Sequence, residues 1–242
     1  NILALIILSR KSQRASNSSV YLRAMAIADC LTLLGYFMVT ISKYHAPSWQ
    51  THTYCKVATY MQSAFQQISS YLVIMVSIER FVAVKFPLKV GHIFTHKVAI
   101  VVSVGIYTIF MALNSPYILF CGYAKRLKMC IIDPNHPLLH VWKQFDAVIT
   151  SYIPALTVLV LNILILAELN RSQRLQKQIK STKESDYSGQ ISQILLSVSI
   201  SYWILTVPMA VFFGFEQYLF NLRDVNDYSN AHLTQTVCTA LL

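Results

Sequence analysis

The chain has 242 residues, 55% of them apolar and 12% charged, with a net charge of +10. Soluble domains carry about 25% charged residues, so this composition excludes an ordinary soluble fold. No nucleophile–base set, metal-ligand cluster, phosphate loop or nucleic-acid motif occurs, so neither an enzyme nor a nucleic-acid binder is expected.

In chain order, a short apolar run at 2–8 is followed by a basic turn at 9–16. Residues 24–41 are apolar and interrupted only by Asp29. Charge-free runs then cover 57–78, 98–124, 147–167 and 188–215, and a last apolar run begins at 228. The five complete runs are long enough, or nearly so, to cross a bilayer. With the two partial runs they predict an all-α membrane protein, a bundle of seven transmembrane helices with the first and seventh truncated. The whole of 1–242 reads as one domain, a fragment from within the first helix to within the seventh.

The positive charge is distributed by side. Connectors after the first, third and fifth spans hold 13 of the Lys and Arg residues, against 7 in the others. The positive-inside rule places the richer set in the cytoplasm and the amino terminus outside.

Asp29 sits well inside its span, where an acid is costly and marks function by default. The bland reading is a protonated acid bonded to a neighbouring helix. The next span starts near Cys55 and closes with Glu79-Arg80-Phe81, then Val82 to Leu88. It is expected to be one helix over 55–88. From Cys55 to Arg80 is 25 steps, roughly 37 Å at helical rise and almost seven turns, so both ends share a face. Within it Gln62 and Gln66, four apart, share a face as well. They are either interhelical glue or the floor of a polar pocket.

Beyond the fourth span, Cys121 and Cys130 lie with Cys55 on the oxidising side, and connectivity is not fixed by sequence. The fifth span holds Pro154, a candidate kink, with Asp146 about two turns outward. Arg171, Arg174, Lys177 and Lys180 follow on a helical continuation. Pro208 interrupts the sixth span and should kink it. Glu216 stands at that span's outer end.

The stretch from Cys55 through Glu79-Arg80-Phe81 to Pro87-Leu88 resembles the third helix of rhodopsin-like (class A) G-protein-coupled receptors, with Glu-Arg-Phe for the family's Asp-Arg-Tyr. Ala28-Asp29, Pro154 and Pro208 also match the family, and the resemblance covers almost all of the chain. It implies a Cys55–Cys130 disulfide, with Cys121 spare, the true partner of Cys55, or paired elsewhere. It implies G-protein contact through Glu79, Arg80, Phe81, Pro87 and Leu88. It also implies a sodium site at Asp29 with Ser69, and no other cofactor.

The departures are informative. Gln62 stands where amine receptors place an aspartate, which removes an amine's counter-ion. Ile106 replaces a tryptophan, Asn162 a tyrosine, and Thr206 and Tyr202 replace two aromatics around Pro208. Such departures occur among neuropeptide-type members, and the chain looks most like invertebrate receptors of FMRFamide type. The expected function is transduction of an extracellular ligand, a short peptide, to a cytoplasmic heterotrimeric G protein. Gln62, Gln66, Asp146 and Glu216 are the candidate pocket, the two acids drawing a basic side chain. The alternatives are a transporter or channel with Asp29 as its ion or proton site, or an opsin-type light receptor.

Overall fold

Hydrocarbon offers backbone groups no water, so a span must satisfy them within itself, and a helix does so. The computed structural model describes residues 5–7, 18–44, 51–124, 129–132, 142, 145–179 and 204. Its long helices are α1 (Ser18–Tyr44), α2 (His52–Lys85), α4 (His96–Leu113) and α6 (Ile153–Ile179). The short helices α3 (Val90–Ile93) and α5 (Ser115–Phe120) and the strands β1 (Cys121–Ala124) and β2 (Met129–Ile132) lie between them. Ser18–Ile41, His52–Lys85, His96–Phe120 and Phe145–Arg171 are long and apolar enough to cross a membrane. Leu33, Phe37, Val101, Val104, Ile109, Leu156 and Ile163 are exposed while Gln67, Ser103 and Asn114 are buried. Such an inversion suits a protein whose solvent is lipid. The sixth span, with Pro208 and Glu216, lies outside the described residues.

Two runs differ from expectation at their ends. The helix expected over 55–88 is α2, which starts one turn earlier and stops at Lys85. Thr51 caps its start, its hydroxyl accepting the Tyr54 N–H at 3.2 Å. At the other end Pro87 has no N–H to continue the ladder. The Phe86 carbonyl instead accepts from Lys89 and Val90, at 3.0 and 3.2 Å, and closes a turn.

The run 98–124 is not one helix. α4 begins on the Thr95 cap, whose hydroxyl accepts from Val98 N–H at 3.3 Å, and ends at Asn114. α5 then starts afresh, with Pro116 in its first turn, where the missing N–H costs nothing. Residues 121–124 leave the helix to pair antiparallel with β2, in the register Cys121↔Ile132 and Tyr123↔Cys130.

The described residues group into two units, 1–76 with 91–146 and 77–90 with 147–242. In the first, α2 packs on α1 and α4. Ala58, Phe65, Ile68 and Leu72 supply its buried face, at the three- and four-residue spacing of one helical side. Gly35 of α1 lets the backbones close up, since a Cβ there would stand 2.9 Å from the Gln62 nitrogen. Phe65 meets Tyr107 edge-on at 6.2 Å, and Tyr71 stacks tilted on Phe110 at 4.3 Å. In the second unit, a π-helical turn over Val148–Tyr152 precedes α6, with Ile153 N–H bonded to the Val148 carbonyl. Pro154, fully buried, lacks the N–H that would bond its fourth preceding carbonyl, and the wider turn opens the helix there.

Candidate functional site

Three places in the described residues gather the side chains on which function could rest. The first is the carboxylate of Asp29, half-buried on α1. The hydroxyl of Ser69, on α2, donates to its Oδ1. The close approach at Gly35, on the same two helices, brings the pair within reach. Thr32 returns its own hydroxyl to the Ala28 carbonyl at 3.0 Å and Ser70 to the Gln66 carbonyl at 3.1 Å, so neither competes for the acid. The set is oxygen-only, which suits a hard cation.

The second place is Asp146. Expected at the mouth of a pocket floored by Gln62 and Gln66, it is joined to Gln67 instead. Gln67 Nε2 donates to Asp146 Oδ1 at 2.5 Å, and the Tyr117 hydroxyl donates to Oδ2 at 2.8 Å. Gln67 Oε1 in turn accepts from Asn114 Nδ2 at 2.6 Å, and the same amide reaches the Phe110 carbonyl at 2.8 Å. Asn114 is wholly buried and Gln67 nearly so. Asn114 Oδ1 has no hydrogen-bond partner among the described residues. Tyr117 also packs edge-on against Trp142 at 6.5 Å, and Trp142 lies 5.5 Å from Phe145. A carboxylate, two amides and a phenol thus form one polar chain through the apolar interior.

Gln62 and Gln66 face elsewhere. Gln66 Oε1 accepts from the Tyr36 hydroxyl of α1 at 3.1 Å, and Gln62 is the residue against which Gly35 packs. Both therefore serve the seam between α1 and α2, the interhelical role rather than a shared floor with Asp146. Gln67, one residue and about 100° further round the helix, points to the other side. Gln67, Asn114 and Tyr117 were not legible as a set. The available signal was Asn114, a lone amide in the charge-free run 98–124.

The third place is the end of α2. Glu79 is buried and the adjacent Arg80 exposed. Lys85 Nζ lies 5.3 Å from the Phe81 ring and 5.6 Å from that of Phe86. Beyond it the Pro87 turn presents Leu88 at 91% exposure.

At the opposite end Cys55 is disulfide-bonded and Cys121 is a free thiol. A Cys55–Cys121 bridge is thereby removed from the alternatives; the side chain of Cys130 lies outside the described residues. Burial pushes the Cys121 thiol up from its ordinary range, partly offset by the Thr59 hydroxyl, the Gly122 N–H and Lys56. The hairpin also docks on His52, whose Nδ1 accepts the Tyr123 N–H at 3.4 Å. Gly122 favours that approach, because a Cβ would stand 2.8 Å from the imidazole nitrogen and the ring would have to shift.

Comparison with known proteins gives a consistent answer. The model of the 7 transmembrane receptor (rhodopsin family) matches residues 1–242. The chain is 26% identical over 236 residues to the FMRFamide receptor of Drosophila melanogaster, covering 87% of this chain and 42% of that protein. It is 24% identical over 209 residues to cysteinyl leukotriene receptor 1 of Sus scrofa, covering 84% of this chain and 61% of that protein. It is 21% identical over 245 residues to G-protein coupled receptor 65 of Homo sapiens, covering 96% of this chain and 69% of that protein. The chain therefore spans less than two thirds of the first two relatives.

Proposed function

This chain belongs to the rhodopsin family of seven-transmembrane receptors, and we propose that it couples an extracellular peptide ligand to a cytoplasmic heterotrimeric G protein. The family is one of signalling receptors, which displaces the transporter or channel reading of Asp29. The observation that carries the proposal is α2 itself. In a chain matched by the family model from end to end, it bears a disulfide-bonded cysteine near one terminus and an exposed arginine near the other.

Arg80, with Phe81, Pro87 and Leu88, is the surface that meets the G protein; Glu79, buried beside it, acts from behind that surface. Asp29 and Ser69 would hold a sodium ion, whose charge would offset a carboxylate otherwise costly in lipid. The amino terminus lies outside the cell. A peptide ligand is supported by the similarity to a protein named FMRFamide receptor. A basic group on that peptide would reach Asp146 from the outer side. Gln66, whose Oε1 is taken by Tyr36, would offer its amide N–H groups to a ligand carbonyl.

The test uses the full-length receptor and reads nucleotide exchange on the G protein. Short amidated peptides with a basic side chain should stimulate exchange, and cysteinyl leukotrienes should not. Arg80→Ala should abolish exchange while surface expression and peptide binding persist. A response to leukotrienes alone would overturn the peptide reading, and undiminished exchange in Arg80→Ala would overturn the coupling role.

A further inference from the structure

The first turns of α2 hold a free thiol against a disulfide. Cys55, Thr59, Ser63 and Gln67 recur at every fourth position and form one stripe along the helix. Gln67 bonds Asp146, and Ser63 bonds the Tyr117 hydroxyl. Thr59 and Cys55 meet Cys121, whose Sγ lies 3.5 Å from the Thr59 hydroxyl oxygen and 3.9 Å from the Cys55 carbonyl oxygen. Cys55 is wholly buried and Cys121 only 3% exposed. Of the two, Cys55 is disulfide-bonded and Cys121 is not.

The carbonyl and the sulfur of one cysteine hang from the same Cα. A thiol in contact with the Cys55 carbonyl is therefore a side-chain rotation away from the Cys55 sulfur. Thiol and disulfide exchange through the thiolate, so the surroundings of Cys121 set the rate. Burial holds the thiol protonated, and the Thr59 hydroxyl, the Gly122 N–H and Lys56 pull the other way. The other titratable groups beside it, among the described residues, are Tyr117 of α5 and His52, whose imidazole faces Gly122. The balance makes exchange slow at neutral pH without forbidding it.

We propose that Cys121 exchanges into the Cys55 disulfide, so that the clamp at this end of α2 has two arrangements. The Cys121 thiolate attacks the Cys55 sulfur, and the Cys55–Cys121 bond forms as the existing S–S bond breaks. The departing sulfur leaves as a thiolate and takes up the proton that Cys121 gave. One disulfide and one thiol stand on each side of the exchange, so neither oxidant nor reductant is consumed. The second arrangement ties β1 to α2 directly, at the residue that follows the end of α5. α5 carries Tyr117, whose hydroxyl donates to Asp146 Oδ2. The new bond therefore fastens that helix to α2 covalently and stiffens the hold on Asp146. The exchange needs neither ligand nor G protein, and it stands or falls apart from the coupling proposal.

The experiment follows the full-length receptor, purified without added thiol and incubated at a series of pH values from neutral to mildly alkaline. Samples are quenched with acid and alkylated, and their disulfide peptides are mapped by mass. A Cys55–Cys121 peptide should accumulate, and the former partner of Cys55 should become alkylated in equal amount. The total of free thiols should stay constant. The initial rate should rise about tenfold per pH unit, following the thiolate. Lys56→Gln should slow the exchange several-fold, and Cys121→Ala should keep the original bridge throughout. A Cys55 bridge that holds its partner in the wild-type receptor even at the most alkaline pH would overturn the exchange. A new bridge gained with loss of free thiols, or at a rate that climbs with receptor concentration, would be oxidation or contact between copies and would overturn it equally.

Discussion

Asp29 and Asp146 are both acids within spans, yet their surroundings are built differently. Asp29 is met by one hydroxyl, that of Ser69. Asp146 receives an amide and a phenol, one on each oxygen, with a second amide behind the first. On the proposal that Asp29 holds sodium, the sparse site leaves the charge to an ion that comes and goes. The dense one distributes it over fixed dipoles of the protein. Two identical side chains in one bundle thus carry different donor sets, and on the proposed reading one serves an ion and the other the packing of the fold.

Gln67→Ala should break this contrast most severely. It strips Asp146 Oδ1 and Asn114 Nδ2 of a partner at once. Each buried group left unsatisfied costs about 1–3 kcal/mol, more where it is charged, so a loss on the order of 2–5 kcal/mol is expected. Thermal unfolding of the purified full-length receptor measures it. Gln67→Glu should fare no better, since it sets a second carboxylate against the first. A loss no larger than that of an exposed lipid-facing change, such as Val104→Ala, would show that Asp146 does not depend on the network.

The same network bears on the ligand. Asp146→Asn should weaken a basic peptide by on the order of 1.5–3 kcal/mol, the range for charged hydrogen bonds, and leave a neutral analogue nearly untouched. Competition binding with the two peptides reads the difference. Glu216→Gln should act in the same direction. Equal losses for both peptides would make Asp146 purely a keystone, reached by the ligand only through the fold.

The positions of the four described spans were legible because charge is nearly absent from them. The pairing of Asp29 with Ser69 came from resemblance and is the geometry observed. The partners of Asp146 were not legible. In a soluble helix the polar stripe reveals the outward face, but a bilayer removes that signal, since apolar residues line both the lipid side and the seam. Gln62 and Gln66 were singled out by their shared face, and only packing shows that they serve α1 and that Gln67 meets Asp146. The run 98–124 also outlasted its helix, because an uncharged strand and an uncharged span look alike in composition.

Sodium would sharpen the contrast from the other side. If Asp29 relies on an ion, replacing a large organic cation with sodium should stabilise the receptor by about 1.4 kcal/mol at ten times the dissociation constant. Asp29→Asn should abolish that gain, whereas Asp146→Asn should retain it. The readout is the salt-dependent shift in unfolding temperature at constant ionic strength. A gain that survives in Asp29→Asn would remove the ion from this site.

The smallest effects are the most diagnostic, because each deletes one hydroxyl donor from an acid, the Tyr117 change also removing the phenol to which Ser63 is bonded. Ser69→Ala and Tyr117→Phe each remove a single donor, and each leaves its helix packing in place; the ring kept by Tyr117→Phe would still meet Trp142 edge-on. Hydrogen bonds within membrane bundles average only about 0.6 kcal/mol in double-mutant cycles, so losses near 1 kcal/mol are expected for both in the absence of sodium. The two then diverge. Combined with Asp146→Asn, Tyr117→Phe should cost much less than it does alone, because its partner has already lost the charge it serves. Combined with Gln67→Ala it should cost more, since the carboxylate would then have lost a donor from each oxygen. Ser69→Ala should be additive with either change, yet should diminish the sodium-dependent gain, which Tyr117→Phe leaves intact. Coupling of Ser69 to Gln67 or Tyr117 would mean that the two acids belong to one connected network, and the distinction between an ion's site and a keystone would fail.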